Sequence, residues 1–441
     1  MDQTIEFDRP GTVAITTQGC KVNRYDSQVI LEELLELGWR QLPFGSEADL
    51  VIINSCTVTS GSDRDLRKLV RQARRANPAS KILVTGCKAQ VDPQGTLRLQ
   101  DVDAILGNPA KTRVAEFIES GRQGQVDELD FEDRVQDRGI TRLDGRARPI
   151  LKIQDGCNLR CSFCIVPSAR GNSRSRGMRE IIEQAKTLAE NGSREIVFSG
   201  IQLGFYKDPD GQAPRLESLI AQVLDETDGF RIRFGSILPR HLTAGLIDLF
   251  DKHRNRLCPH FHVSLQSGDD DILKAMKRPY RAKHFRELML ELWTRLDQPC
   301  LGTDVIAGFP GESDQSFEST VELLEDLPMA YGHVFPFSMR PGTPAETLGD
   351  TVPSIEKKSR VARLRALFEE KHKHYLELQI GTEREVLIER RHSPEWLRGS
   401  TENYQQLLIP DGKAAIGELL KVKVSGLKDG MLFHESQKQK L

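Results

Sequence analysis

Residues 154–176 read "QDGCNLRCSFCIVPSARGNSRSR": Cys157, Cys161 and Cys164 fall within eight positions, and Arg170, Arg174 and Arg176 follow at once. Thiols at this density point to metal ligation. Four close thiolates would complete a structural zinc site, whereas three leave a position open for chemistry. The segment follows "ILKI" (Ile150–Ile153), an apolar strand pattern. In α/β barrels ligands gather at the carboxyl ends of strands, so the cysteines stand where a reactive site belongs.

The pattern extends downstream. "EIVFSG", "RIRFGSI", "FHVSLQ", "CLGTDVIAGF" and "AYGHVFPF" each read as strands, with helical stretches between most of them. About six βα units in roughly 220 residues suggest a complete or partial barrel. Upstream, "TVAITTQGC", "DLVIINSC", "KILVTGC" and "DAILG" read as strands separated by helices. One helix is "DSQVILEELLELG", with Asp26 or Ser27 expected as N-cap and Gly38 as stop. Another is the basic "RDLRKLVRQARRANP", stopped by Asn77-Pro78. Strands alternating with helices argue a parallel sheet. Residues 121–149 turn acidic and polar and read as a linker. A basic amphipathic helix closes the barrel region, and "EREVLIERR", "NYQQLLIP" and "LLKVKVSG" then read as β-structure. The expected fold class is α/β: an N-terminal open parallel α/β sheet (1–120), the linker (121–149), a central partial (β/α) barrel (150–378) and a small all-β barrel (379–441).

At 441 residues the chain exceeds one compact core. Lys plus Arg number 62 against 64 Asp plus Glu, so global charge gives no nucleic-acid signal and any basic surface must be local. No apolar run approaches membrane-spanning length and the N-terminus lacks a signal pattern, so a cytoplasmic protein with no membrane partner is expected. In that compartment eight cysteines read as metal or redox ligands in preference to disulfides.

A ferredoxin-type run would supply a fourth thiolate just before a proline. Here Pro167 comes three residues after Cys164 with no fourth Cys. Three thiolates can hold three irons of a 4Fe–4S cluster and leave the fourth iron free; zinc, or three unrelated buried thiols, is the alternative. Cys20, Cys56 and Cys87 form a second constellation, each ending a predicted strand in "QGC", "NSC" and "TGC". In an open parallel sheet such ends line one crevice. Taken singly, each is as readily a small buried hydrophobe, which is the reading for Cys258 and Cys300.

The C-x3-C-x2-C spacing resembles the radical S-adenosylmethionine superfamily. Together with "TTQGCKVNRYDSQ", "NSCTVT", "TGC", "HVSLQSGDDDILKAMKR" and "TDVIAGFPGE", the chain resembles the methylthiotransferase family from end to end. Its final β unit resembles the family's TRAM module. The resemblance implies two 4Fe–4S clusters, held by Cys157/Cys161/Cys164 and by Cys20/Cys56/Cys87, with S-adenosylmethionine as cofactor. It implies that Phe163, Ser199, Gly200, Ser264, Gln266 and Asp304 meet that cofactor. It also implies a tRNA substrate, a sulfur donor and a flavodoxin- or ferredoxin-like electron donor. "GCKVN" (Gly19–Asn23) is closest to the branch that modifies C2 of N6-threonylcarbamoyladenosine at tRNA position 37. The isopentenyladenosine and ribosomal-protein branches are the alternatives. One departure is "SILP", where that branch commonly carries an acid and this chain has Leu238.

Arg170, Arg174, Arg176 and Arg179 carry four positive charges over ten residues without an acid, and planar guanidinium forks suit phosphates. Tyr404 could stack on a base or serve as plain core. A solvated loop is the bland alternative for the arginines, and solvation also accounts for the Arg64–Arg75 helix unless it lines the same cleft. A reading of another class is an RNA-binding iron–sulfur redox sensor that catalyses nothing.

Overall fold

The computed structural model describes residues 7, 10–129, 134–141 and 147–435. The N-terminal region contains β1 (Thr12–Thr17), α1 (Lys21–Glu36), β2 (Arg40–Gln41), β3 (Leu50–Ser55), α2 (Ser60–Ala76) and β4 (Lys81–Gly86). It continues with α3 (Cys87–Val91), α4 (Pro93–Leu97), β5 (Ala104–Leu106), α5 (Val114–Glu119) and β6 (Gly124–Gln125). All six strands are parallel, in the order β2-β1-β3-β4-β5-β6. Parallel strands leave the sheet at one edge, so the segments after β1, β3 and β4 are neighbours.

Helix α1 corrects one expectation. It begins at Lys21 with Cys20 as N-cap, several residues before Asp26 and Ser27. Those two side chains are taken by tertiary partners: Ser27 Oγ accepts from Thr17 Oγ1 at 2.7 Å, and Asp26 pairs with Lys152 at 2.7 Å. Local capping preference yields to burial. The helix ends at Glu36, and Gly38 follows at φ +90°.

The central region holds β7 (Ile150–Lys152), β8 (Gln154–Asp155), α6 (Val166–Arg170), β9 (Arg174–Ser175), α7 (Met178–Glu190), β10 (Glu195–Ser199) and α8 (Leu216–Glu226). After these come β11 (Arg231–Phe234), β12 (Ser236–Ile237), α9 (Ala244–Lys252), β13 (His260–Val263), α10 (Asp270–Ala275) and α11 (Ala282–Arg295). It closes with β14 (Cys300–Ala307), α12 (Asp314–Asp326), β15 (Tyr331–Pro336) and the long α13 (Ser354–Leu378). Strands β7, β10 and β11 pair in parallel, as do β12 to β15, and only Gly235 separates β11 from β12. The array therefore runs in chain order. Among the described residues its outer strands β7 and β15 do not pair with each other, so the barrel is partial.

Burial alternates along the last two strands, as strand geometry requires. On β15, Val334 is buried, whereas His333 and Phe335 face the other side and are exposed. On β14, Val305 and Ala307 are buried while Asp304 and Ile306 remain accessible. The buried faces join the core beneath the helices, including Leu364 and Phe368 of α13. The accessible faces make the concave side of the barrel.

The C-terminal region is a six-stranded sheet of β16 (Glu383–Arg391), β17 (Trp396–Thr401), β18 (Gln406–Pro410), β19 (Leu419–Lys423), β20 (Gly426–Lys428) and β21 (Met431–Phe433). Their order is β19-β16-β17-β18-β21-β20, antiparallel except for β18–β21, around a core that includes Val386, Ile388, Leu407 and Ile409. The connection between β17 and β18 reaches the barrel. Gln405 Nε2 donates to Cys300 Sγ at 3.3 Å, and Asn403 Nδ2 donates to Tyr375 Oη at 3.1 Å.

Part of the expected linker lies outside the described residues, at 130–133 and 142–146. Its described middle is packed. Val135 and Ile140 are buried, and Asp137 pairs with Lys152 at 3.1 Å.

Candidate functional site

Cys20, Cys56 and Cys87 stand just past β1, β3 and β4, three adjacent parallel strands. The residues around them explain the "QGC", "NSC" and "TGC" wording. Gly19 lies at φ +84°, and a Cβ there would come 2.8 Å from both Cβ and Sγ of Cys56. Gly86 lies at φ +92°, where a Cβ would come 2.5 Å from the Ser55 carbonyl. Both positions require glycine for conformation and for space. Asn54 Nδ2 donates to the Asn23 carbonyl at 2.8 Å, tying β3 to α1. Ser55 Oγ donates to the Thr85 carbonyl at 2.5 Å, tying β3 to β4. These side chains hold the three cysteine loops together.

Cys157, Cys161 and Cys164 lie between β8 and α6. Arg278 Nη1 donates to Cys161 Sγ at 3.2 Å, and Arg278 Nε donates to Tyr280 Oη at 2.8 Å. Tyr280 Oη in turn donates to the Ser264 carbonyl at 2.7 Å, linking the cysteine loop to the end of β13. Leu238 is 1% exposed and packs with Leu273 and Tyr280 against Leu159 of the loop. Where the resemblance implies an acid, Leu238 thus makes an apolar contact with the cysteine loop.

The two triads are joined. Asn108 Nδ2 donates to the Ala169 carbonyl at 2.6 Å and lies 3.9 Å from Cys87 Sγ. Arg170 Nη1 donates to both Asp155 oxygens, at 2.8 and 2.9 Å, and Nη2 reaches Asp26 at 3.1 Å and Asn23. Lys152 adds bonds to Asp26 and Asp137. A buried network of opposite charges therefore fastens the N-terminal sheet to the barrel. Its basic groups outweigh burial and hold the Asp26, Asp137 and Asp155 carboxyls below the usual range.

The donor set fits two iron–sulfur clusters. Among the described residues no three His, Cys, Asp or Glu side chains converge as ligands of one ion would. A polynuclear cluster needs no such convergence, because each thiolate binds its own iron. Burial pushes the Cys56 thiol up to about 11 and the Cys164 thiol up to about 12, so at neutral pH iron must replace their protons. Guanidinium groups stand by to offset an anionic cluster: Arg278 at Cys161, and Arg170 within electrostatic reach of Cys20 and Cys87. Arg278 Nη2 is buried without a hydrogen-bond partner.

Of the six residues expected near the cofactor, Phe163 lies in the cysteine loop, Asp304 within β14, and the other four at or just past strand ends. Phe163 packs on the apolar group of Ile272, Met276, Phe309 and Phe337. Ser199 ends β10 and Gly200 follows it, where a Cβ would come 2.7 Å from Gln154 Oε1. Ser264 follows β13, and Gln266 adopts φ +76° while bonding the Asp304 carbonyl and the Ile306 amide through its backbone. The Asp304 carboxylate lies 3.0 Å from His262 Nε2; that contact outweighs burial and keeps its pKa low. His260, His262, Tyr331 and His333 complete an aromatic wall on the concave side.

The arginine expectation is corrected by burial. Arg170 is 1% exposed and both its terminal nitrogens are taken by Asp155, Asp26 and Asn23, so it cannot meet a phosphate from this position. Arg176 is also buried, donating to Tyr25 Oη at 3.0 Å and to Gln184. Arg174 is half-buried over the Arg170 carbonyl, and Arg179 is exposed but paired with Glu226 at 2.7 Å. Tyr404 is 36% exposed, and its ring stacks on His260 at 4.3 Å with Arg233 at 5.2 Å, so part of the ring is already engaged by the protein. Reading single segments cannot reveal such contacts, since most of their partners lie more than 100 residues away. Asn23, Asn54, Asn108, Arg278 and Tyr280 carry no site signal in the sequence, although Asn23, Asn54 and Arg278 lie inside the motifs above; their roles come from partners on other segments.

Three family matches cover most of the chain: the radical SAM superfamily at residues 151–324, the uncharacterized protein family UPF0004 at 12–107, and the TRAM domain at 377–433. The chain is 34% identical to the threonylcarbamoyladenosine tRNA methylthiotransferase MtaB of Aquifex aeolicus, covering 93% of this chain and 100% of that protein. It is likewise 34% identical to the Bacillus subtilis MtaB, over 97% and 96% of the two chains. It is 32% identical to the tRNA-2-methylthio-N(6)-dimethylallyladenosine synthase of Methylobacillus flagellatus, over 94% and 97%. Among solved structures it resembles TsrM of Kitasatospora setae, a radical S-adenosylmethionine methyltransferase, with TM-score 0.55 and 15% identity over 77% of this chain and 75% of that one.

Proposed function

The chain belongs to the methylthiotransferase family of radical S-adenosylmethionine enzymes, and on that premise we propose that it methylthiolates C2 of N6-threonylcarbamoyladenosine at position 37 of tRNA. The observation that carries this substrate is Lys21. It follows Cys20 at the start of α1, is exposed, and has no ion-pair partner among the described residues. Burial and the neighbouring Arg24 and Arg148 lower its pKa, while Cys20 and Asp304 of the barrel, also within electrostatic reach, favour its charged form. A threonylcarbamoyl group ends in a carboxylate, which an unpaired ammonium suits; a dimethylallyl group carries no charge and would leave that ammonium unmatched.

The family's cofactors are S-adenosylmethionine and 4Fe–4S clusters. When bound, they would supply the hydrogen-abstracting radical and the methyl group and carry the sulfur that a donor provides. Cys157, Cys161 and Cys164 would hold one cluster, with Arg278 donating to the Cys161 sulfur. Cys20, Cys56 and Cys87 would hold the other. Asn108 and Arg170 keep the two cysteine regions in register by bonding across the junction. Phe163, Ser199, Gly200, Ser264 and Gln266 would line the cofactor, and Asp304, held ionised by His262, would accept hydrogen bonds on the concave face. Among the described residues no helix is long and apolar enough to cross a membrane. Cytoplasmic tRNA, a sulfur donor and a flavodoxin- or ferredoxin-like electron donor complete the proposal.

Nucleoside mass spectrometry of tRNA from a deletion strain tests the substrate. Loss of 2-methylthio-N6-threonylcarbamoyladenosine with accumulation of its unthiolated precursor is expected. Loss of the isopentenyladenosine derivative instead would move the chain to the other tRNA branch.

A further inference from the structure

Helix α2 starts four residues after Cys56 and presents two faces. Leu66, Val70 and Ala73 are buried against the sheet. Arg64, Arg67, Arg71 and Arg75 recur at helical spacing, are exposed, and have no ion-pair partner among the described residues. The other two basic residues are occupied: Lys68 pairs with Asp65 at 2.9 Å, and Arg74 with Asp103 at 2.8 Å. From Arg64 to Arg75 the stripe runs about 16 Å along the helix.

The start of the stripe is fastened to the barrel rim. Arg340 Nη2 donates to Thr57 Oγ1 at 2.6 Å and to Asp63 Oδ2 at 2.7 Å, and the Ser60 amide donates to Ser338 Oγ at 3.1 Å. The same two segments expose apolar side chains: Val58 is 48% exposed and Met339 is 43% exposed. Phe335, at the concave side of β15, is also 43% exposed. An uncompensated arginine stripe thus leads to an exposed apolar rim beside Cys56.

We infer that this surface, resting on the tRNA reading above, is where the single-stranded anticodon loop docks. The arginines of α2 bind its phosphodiester groups, and Val58, Phe335 and Met339 pack against unstacked bases at the mouth of the site. Charge complementarity selects a polyanion, and the apolar rim selects one with exposed flat faces, which duplex phosphates lack. An acidic protein, such as an electron donor, would use the stripe without the rim.

The test compares reconstituted wild-type protein with R67Q/R71Q and V58S/M339S, using unthiolated tRNA across a salt series. Iron content equal to wild type establishes that each variant is folded and loaded. Two lost phosphate contacts should make the slope of log K against log salt shallower by about 1.4 in R67Q/R71Q. The wild-type advantage should then be about sevenfold larger at 50 mM than at 200 mM salt. V58S/M339S should weaken binding at all salts with the slope kept. Binding and slope equal to wild type in R67Q/R71Q would overturn the inference, as would unchanged tRNA binding with slower reduction by a flavodoxin. Failure of the wild-type protein to bind tRNA at any salt would instead overturn the function on which the inference rests.

Discussion

Arg170 Nη2 lies 3.1 Å from Asp26 Oδ2, across the junction between the barrel and the N-terminal sheet, and both side chains are buried. The arginine comes six residues after the last cysteine of one triad, and the aspartate six residues after the first cysteine of the other. Their pairing sets the distance between two chemical centres that lie far apart in the chain.

Removing the cation should therefore damage assembly and not RNA affinity. Arg170→Ala leaves Asp26 and Asp155 with reduced compensation, and breaking a buried pair from one side costs about 3–5 kcal/mol. Urea denaturation should show that loss, while any folded fraction keeps the wild-type salt dependence of tRNA binding. A shallower salt slope with unchanged stability would return Arg170 to the phosphate-binding role.

Glu195 makes the corresponding lock at the other end of the barrel. It is fully buried and accepts from Arg231 Nε at 2.7 Å and Arg233 Nε at 2.6 Å. The same arginines donate to the Ser400, Thr401 and Glu402 carbonyls of the C-terminal sheet. Against the effect of burial, Arg233 and Arg231 hold its pKa at about 2. A depressed carboxylate stabilises above its unfolded pKa, so on the order of 3 kcal/mol is present above about pH 4.5 and is lost as pH falls toward 2. Urea midpoints between pH 7 and pH 3 should show this decline in wild type, and Glu195→Gln should be less stable at pH 7 with a flatter acid limb. The C-terminal sheet is accordingly no detachable RNA handle: a chain ending at Gln379 strips both arginines of their carbonyl partners and should lose stability in the barrel itself.

The cysteine triads make separable predictions. Anaerobic reconstitution should give about eight irons per chain, and replacing either triad should leave about half. Replacing Cys20, Cys56 and Cys87 should spare abortive deoxyadenosine formation and abolish methylthiolation. Replacing Cys157, Cys161 and Cys164 should abolish both. Methylthiolated tRNA from the first variant would make the N-terminal cysteines structural.

Gly86→Ala tests the strand-end geometry without touching a ligand. The new Cβ would crowd Asn54 Oδ1 and stand 2.5 Å from the Ser55 carbonyl, at a φ of +92°. Strain at such a position costs about 1–3 kcal/mol. The variant should bind less iron at the N-terminal triad while retaining deoxyadenosine formation; full iron loading would show that the loop can relax.

The sequence by itself determined the six cysteines, the alternation of strands and helices, and the place of each triad at strand ends. Those features are local: thiol spacing and the run of apolar residues are readable within a dozen positions. It also carried the family, because "GCKVN", "NSC", "TGC" and the cysteine triplet occur in order. Only the tertiary structure decided what the charged and aromatic residues do. Arg170 and Arg176 read as phosphate ligands in a basic segment, yet burial against Asp26, Asp155 and Tyr25 makes them structural. Tyr404 read equally as a base platform or as plain core; His260 takes one face of its ring, which remains 36% exposed. The helix that read as solvated, unless it lines the same cleft, keeps four arginines exposed and without an ion pair among the described residues, and it starts four residues after Cys56. A charge acts through whatever stands within a few ångströms of it, and for these residues that neighbour comes from a distant part of the chain.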